Sequence, residues 1–239
     1  NGISSYEVAR ALGVTQKTGW FMLHRIRKAM QDGLTGGKLG GQGHHVEIDE
    51  TYIGGKARNM HKSRRDKRMN DRLYGKVAVM GLLERTSAKR KSRVQTVVVP
   101  NTRKPRLRPE IFDRVEDFSQ LHTDELKSYE GMGGGIFAHH VVNHAEAYAR
   151  GNVHTNGLEN FWSLLKRSIK GTYVSVEPYH LFRYLDDQAF RFNQREGSDA
   201  DRFVRTMRQI QGRRLQYETL IGLNGQPLKN DRVRLKSRG

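Results

Sequence analysis

The sequence predicts an α/β fold, a mixed sheet flanked by helices and preceded by a small helical pair. Three observations point there. Strand-like runs rich in Val, Ile and Leu begin at residue 45 and recur over 76–83, 93–99, 119–123 and 136–142. Helical periodicity follows over 155–170 and 178–193. Ahead of the strands, residues 33–43 contain six glycines, whose backbone entropy disfavours a regular element and marks a linker. Three strands, a helix, two more strands and then helices suit a mixed sheet with helical layers. Periodicity alone leaves the strand order open.

Taken in order, residues 3–29 read as two short helices. Ser4 or Ser5 caps the first, with Val8, Ala9 and Leu12 on one face. Gly13 supplies a turn, and Thr15 caps a second helix carrying Trp20, Leu23 and Ile26 or Arg27. This spacing is that of a helix-turn-helix, which places Gln16, Lys17 and Thr18 where groove contacts are made. A helical pair used only for packing has the same pattern. The loop over 56–76 holds nine Lys/Arg against two Asp and includes Arg64 and Arg65, which are expected to contact DNA. Residues 85–108 carry nine basic residues and no acidic one. A helix is expected over 109–118, a helical turn over 125–130 and a loop over 131–135. Beyond residue 196 the chain is polar and basic, with loose order expected past about 212. The segments are therefore 1–32, a helix-turn-helix; 33–43, a linker; 44–195, the main domain; and 196–239, a partly disordered basic extension.

The 239 residues include 43 Lys+Arg against 25 Asp+Glu, a formal charge of +18, so a polyanionic partner is expected, with nucleic acid the commonest. A ribosome-type basic protein would share that charge without needing ordered carboxylates. There is no cysteine, which excludes disulfides and thiol chemistry within the chain and fits a reducing cytoplasm. No apolar run reaches the ~20 residues of a membrane span. The chain begins at Asn1 and enters a structured motif at once, which reads as a piece lacking its natural N-terminus.

Against this basic background, three carboxylates stand out. Asp49 lies in a strand, where aspartate is depleted, and shares its face with Glu47 and Thr51 while Val46, Ile48 and Glu50 point the other way. On an edge strand it would simply face water. Asp124 ends a short apolar strand, and by local sequence alone it is a helix cap. Glu159 sits near the start of a helix whose apolar stripe is Leu158, Phe161, Trp162, Leu165 and Ile169. Ser163, Lys166 and Lys170 line the adjacent face with it, an arrangement that is also ordinary for a solvated helix. Together, two aspartates and a glutamate are the oxygen donors that two Mg²⁺ ions about 3.5–4 Å apart require for phosphodiester chemistry. His139, His140, His144 and His154 cluster in sequence without a metal-ligand spacing, so they are read as strand, loop and phosphate-contacting residues. His122, two residues before Asp124, is placed on the same face.

The runs VEIDETYIGG, HTDELKSY, HTNGLENFWSLLKRSIKGTY and LFRYLDDQAFRFNQR resemble the ISXO-like group of bacterial insertion-sequence transposases. ISSYEVARALGVTQKTGWFMLHRIR resembles the segment that precedes the catalytic domain in that group. The resemblance covers about residues 2–195 and implies a ribonuclease-H-like catalytic domain with a five-stranded mixed sheet. It implies DDE chemistry with Mg²⁺, or Mn²⁺ as a substitute, held by Asp49, Asp124 and Glu159. Lys166 corresponds to a lysine that contacts DNA near the cut, and Lys170 follows it. The implied reaction is hydrolysis at a transposon end, followed by attack of the freed 3′-OH on target DNA. The implied partners are double-stranded DNA and further copies of the chain, as a homodimer or higher oligomer on DNA, in the bacterial cytoplasm and at the nucleoid when DNA-bound. Relatives usually carry an N-terminal cysteine zinc ribbon, which this sequence lacks. A non-catalytic DNA-binding protein, a decayed transposase or a structure-selective nuclease of the same fold would share much of this pattern.

Overall fold

The computed structural model describes residues 2–31, 37–54, 75–88, 90–142, 154–174 and 176–223. The chain divides into two compact units, Asn1–Gln31 with Tyr179–Gly239, and Asp32–Pro178.

The second unit is built on a five-stranded sheet. Its strands are β2 (His45–Gly54), β3 (Lys76–Glu84), β4 (Arg93–Val99), β6 (Gln120–Thr123) and β7 (Ala138–Val141). They lie in the order β4-β3-β2-β6-β7. β3 runs antiparallel to β2 and β4, whereas β6 is parallel to β2 and β7 is parallel to β6. The sheet is therefore mixed, and β2 is its central strand. This removes the edge-strand reading of Asp49.

Alternation along β2 gives the sheet two different faces. Val46 and Ile48 join Met80, Leu82, Val97 and Leu121 in one core, closed by Leu107 and Ile111 of helix α3 (Lys104–Arg114). The opposite face meets helix α4 (Asn156–Ser168), which buries Leu158, Phe161, Trp162 and Leu165. α4 comes very close at Gly81, where a Cβ would stand 2.6 Å from the Trp162 ring.

Several boundaries differ from those read in the sequence. The helix expected over 109–118 begins at Lys104, with a proline in its first turn, and ends at Arg114. Pro is well placed near a helix start because its missing N–H would have no partner there. Residues 115–116 form a short strand, β5 (Val115–Glu116), instead of helix. Its parallel partner is β1 (Leu39–Gly40), a regular element inside the glycine-rich linker, where none was expected. α4 ends at Ser168 and passes into a wider π-type turn over Ile169–Tyr173.

In the first unit, α1 (Ser5–Leu12) opens with a reciprocal cap between Ser4 and Glu7 and closes at Gly13, whose φ of 64° is left-handed. α2 (Gln16–Met30) starts at Thr15, whose side chain accepts the Thr18 N–H. No residue of α1 is buried, and Leu12 is exposed. On α2 the buried side is Gly19, Leu23, His24, Arg27 and Ala29, so Arg27, not Ile26, faces inward. It does so because α5 (Leu181–Asn193) supplies partners. Arg27 Nε donates to Asp187 Oδ2 at 3.4 Å, and its guanidinium lies 4.0 Å from the Tyr184 ring centre. Beside it, buried Arg183 donates to Gln31 and Asp186. By its contacts α5 groups with the N-terminal helices.

Past residue 196 the chain continues as α6 (Asp199–Arg208), capped reciprocally by Ser198 and Asp201, and the one-turn α7 (Tyr217–Leu220). Helical structure thus continues past residue 212, and residues 224–239 lie outside the described residues. No helix among the described residues is long and apolar enough to cross a membrane.

Candidate active site

Asp49 sits midway along the central strand, on the face toward α4. Its Oδ1 accepts the Glu50 backbone N–H at 2.8 Å, and its Oδ2 accepts the Trp162 indole N–H at 2.9 Å. Burial pushes the Asp49 carboxyl up, the Trp162 and Glu50 N–H groups oppose this, and the Asp124 and Glu159 carboxylates push it further up. Asp124 and Glu159 are thus both near enough to act on the Asp49 carboxylate.

Asp124 follows the C-terminal end of β6, the parallel neighbour of β2. Its Oδ1 accepts the Leu126 N–H at 3.1 Å, ahead of a 3₁₀ turn over Lys127–Tyr129. The capping role read from the local sequence is thus present in modified form, as a turn rather than a helix cap. Glu159 lies exposed in the first turn of α4, with Ser163, Lys166 and Lys170 also exposed. Lys170 falls in the π-type turn that extends the helix.

Among the described residues, no three His, Asp or Glu side chains are gathered closely enough to hold an ion as they stand. The donor chemistry nonetheless suits a hard divalent cation. Glu50, on the other face of β2, is pushed up to about 9 by burial and then by the Asp124 and Asp49 carboxylates, and its Oε1 is buried without a hydrogen-bond partner. A cation with oxygen ligands would relieve the repulsion that Asp124 exerts on both Asp49 and Glu50.

The start of α4 is fixed by a buried carboxylate absent from the sequence-based site. Glu47, 1% exposed and two residues before Asp49 on the same face, accepts the Leu158 N–H at 3.0 Å. It also accepts from Arg85 Nε at 2.7 Å and lies 3.3 Å from His154 Nδ1. Arg85 also donates to the His154 backbone carbonyl. A negative charge at a helix N-terminus is favourable in itself. Glu47 shares Asp49's face by strand alternation, which was the available signal; nothing in the sequence pairs it with Arg85. Trp162 was legible only as a core residue.

The described histidines of the sheet contact one another and neighbouring strand residues. His122 stacks between His45 and His140 with ring centres 5.0 and 5.1 Å away. Burial first, then Arg85 and the neighbouring histidines, pushes His122 down to about 3, so it is neutral. His139 pairs with Thr123 and His140 with Gln120, whereas His144 lies outside the described residues. Of the expected DNA-contacting residues, Gln16, Lys17 and Thr18 are exposed at the start of α2. Gln16 donates to Ser5 Oγ, and Lys17 Nζ lies 4.7 Å from the Tyr217 ring centre. Arg64 and Arg65 lie outside the described residues.

An α/β chain with this carboxylate-bearing central strand matches the ISXO2-like transposase domain over residues 38–193, and it belongs to that family. An uncharacterized transposase-like protein of Haemophilus influenzae is 34% identical over 106 residues, 44% of this chain and 85% of that protein. No solved structure matches the chain.

Proposed function

We propose that this protein is a metal-dependent DDE transposase that cuts DNA at transposon ends and joins the freed ends to target DNA. The observation that supports the reading most is that Asp124, after the end of β6, and Glu159, in the first turn of α4, both act on the carboxylate of Asp49 on the central strand. Family membership and the +18 charge support it independently. The strand order, with β3 alone reversed, is compatible with a ribonuclease-H-like catalytic unit.

In this reading Asp49, Asp124 and Glu159 hold the cations, Mg²⁺ or Mn²⁺. When bound, those ions lower the pKa of the attacking water and neutralise charge on the phosphate and on the departing oxygen. The three carboxylates supply negative charge and orientation. Glu47 and Arg85 hold the first turn of α4 so that Glu159 stays over the sheet end. Lys166 and Lys170 hold the DNA phosphates beside the cut. In the first step, water oxygen bonds to phosphorus and the P–O3′ bond breaks, leaving a 3′-OH. In the second, that hydroxyl loses its proton and bonds to a target phosphorus, and one target P–O bond breaks. α1 and α2 act as a helix-turn-helix, presenting Gln16, Lys17 and Thr18 at a helix N-terminus suited to phosphate and groove contact. The working form is at least a dimer on DNA, because two ends must be held together, and it acts in the cytoplasm.

The test is a set of single alanine variants, Asp49→Ala, Asp124→Ala and Glu159→Ala, assayed with labelled transposon-end DNA and Mg²⁺ or Mn²⁺. Each is expected to lose strand transfer by on the order of a hundredfold or more, since even outer-shell partners of a metal site cost about 10–100-fold. DNA affinity should hold. Retained transfer in one variant removes that residue from the site. Wild-type protein that binds DNA but neither cuts nor joins it with either ion would favour a non-catalytic DNA-binding protein.

A further inference from the structure

We propose that Trp162 is a positioning residue, which fixes the Asp49 carboxylate and sets the register between the strand carrying Asp49 and the helix carrying Glu159. This rests on the reading of Asp49 as a metal ligand. The Trp162 side chain is almost wholly buried, yet its indole N–H ends on a carboxylate oxygen, Asp49 Oδ2, at 2.9 Å. A ring needed only to fill space would serve as well without that donor. Asp49's other oxygen accepts the Glu50 N–H at 2.8 Å. Both oxygens are therefore held, and each keeps a further lone pair for a cation.

The strand is shaped to admit this contact. Gly81 lies directly across from Asp49 in the β2–β3 pairing. A Cβ there would stand 2.6 Å from Trp162 Cζ2 and 2.8 Å from Cη2, so the absent side chain lets the ring lie against the strand with its N–H at Asp49. Glu159 lies three residues before Trp162 on α4, about one helical turn away. Fixing the indole on Asp49 therefore also fixes where Glu159 stands relative to it. Glu47 holds the same helix through the Leu158 N–H at 3.0 Å, so α4 is tied to β2 at two successive points on one strand face.

The decisive comparison is Trp162→Phe, which keeps an aromatic ring and removes the donor, made in the full chain. Mn²⁺ binding is measured by electron paramagnetic resonance, with Asp49→Ala as reference and with DNA affinity and the melting midpoint recorded for each protein. Mn²⁺ affinity is expected to fall about tenfold or more in Trp162→Phe, as for loss of an outer-shell partner, with DNA affinity unchanged. The metal concentration giving half-maximal strand transfer should rise in parallel. Wild-type metal affinity in Trp162→Phe, with binding lost in Asp49→Ala, overturns the inference and leaves the proposed site standing. Wild-type metal affinity in Asp49→Ala overturns both.

A second measurement covers the case in which Trp162→Phe does not fold. The chain has only two tryptophans, so Trp20→Phe leaves Trp162 as the sole indole emitter. Mn²⁺ should then quench that emission saturably, and Asp49→Asn should shift its wavelength. Emission indifferent to both the ion and Asp49→Asn would contradict the proposal.

Discussion

At the level of single residues, His24 shows how burial converts into pH dependence. Its ring is wholly buried on α2, in contact with Trp20, His180 and Tyr184, and neither ring nitrogen has a hydrogen-bond partner. Burial first, then the charges of Arg27, His180 and Arg183, pushes it down to about 2. The folded state therefore keeps His24 neutral, while the unfolded chain takes a proton below about 6.5. The contribution is fully present above that pH and is lost progressively as pH falls toward about 2. Between pH 7 and pH 5 this single group should cost about 2 kcal/mol. Denaturant unfolding at the two pH values, compared between wild type and His24→Phe, checks it. The wild type should lose more stability than the variant by about that amount.

The carboxylates differ in how much of them the sequence discloses. Asp49 was legible because aspartate is out of place in a strand, and the central position of β2 strengthens that signal. Asp124 and Glu159 each had an ordinary local explanation, and Asp124 indeed caps a turn through Leu126. Their relation to Asp49 depends on a parallel strand pairing and a helix docking that no local pattern encodes. Glu50, Arg85 and the Trp162 donor were missed for the same reason, since each takes its meaning from a neighbour distant in sequence.

Among the elements, the three long strands were read to within a residue or two, because their apolar alternation is strong. Helix α3 was placed late because Pro109 was taken as its start, whereas the helix already has a proline at its beginning and runs through Pro109. β1 was hidden by glycine content, and α6 by its polar composition, although Ser198 and Asp201 form a reciprocal cap. The close docking of α4 on β3 carries a prediction. Gly81→Ala should push the Trp162 ring off the strand, since Trp162 and Leu158 both lie within 2.8 Å of where the Cβ would be. The expected loss is about 1–3 kcal/mol, read as a lower urea midpoint with an unchanged slope. An unchanged midpoint would mean that α4 shifts freely on the sheet.

At the scale of the whole molecule, the strong positive charge and the acidic sheet end are complementary. In the proposed function the positive charge draws in a polyanion and the carboxylates hold the cations that contact it. The assignment of α5 to the N-terminal unit was not legible, because it rests on Arg27–Asp187 and Arg183–Gln31, pairs more than a hundred residues apart. The central claim is that Asp49 binds the ions that cut and join DNA. Its most direct test is Asp49→Cys, introduced into a chain that has no other cysteine. A thiolate is a poor ligand for Mg²⁺ and a better one for softer ions such as Mn²⁺. The account predicts that Asp49→Cys neither cuts nor joins transposon-end DNA with Mg²⁺ and regains part of both activities with Mn²⁺. Wild-type activity with Mg²⁺, or a folded, DNA-binding variant that stays inactive with Mn²⁺ while the wild type is active with it, would contradict it.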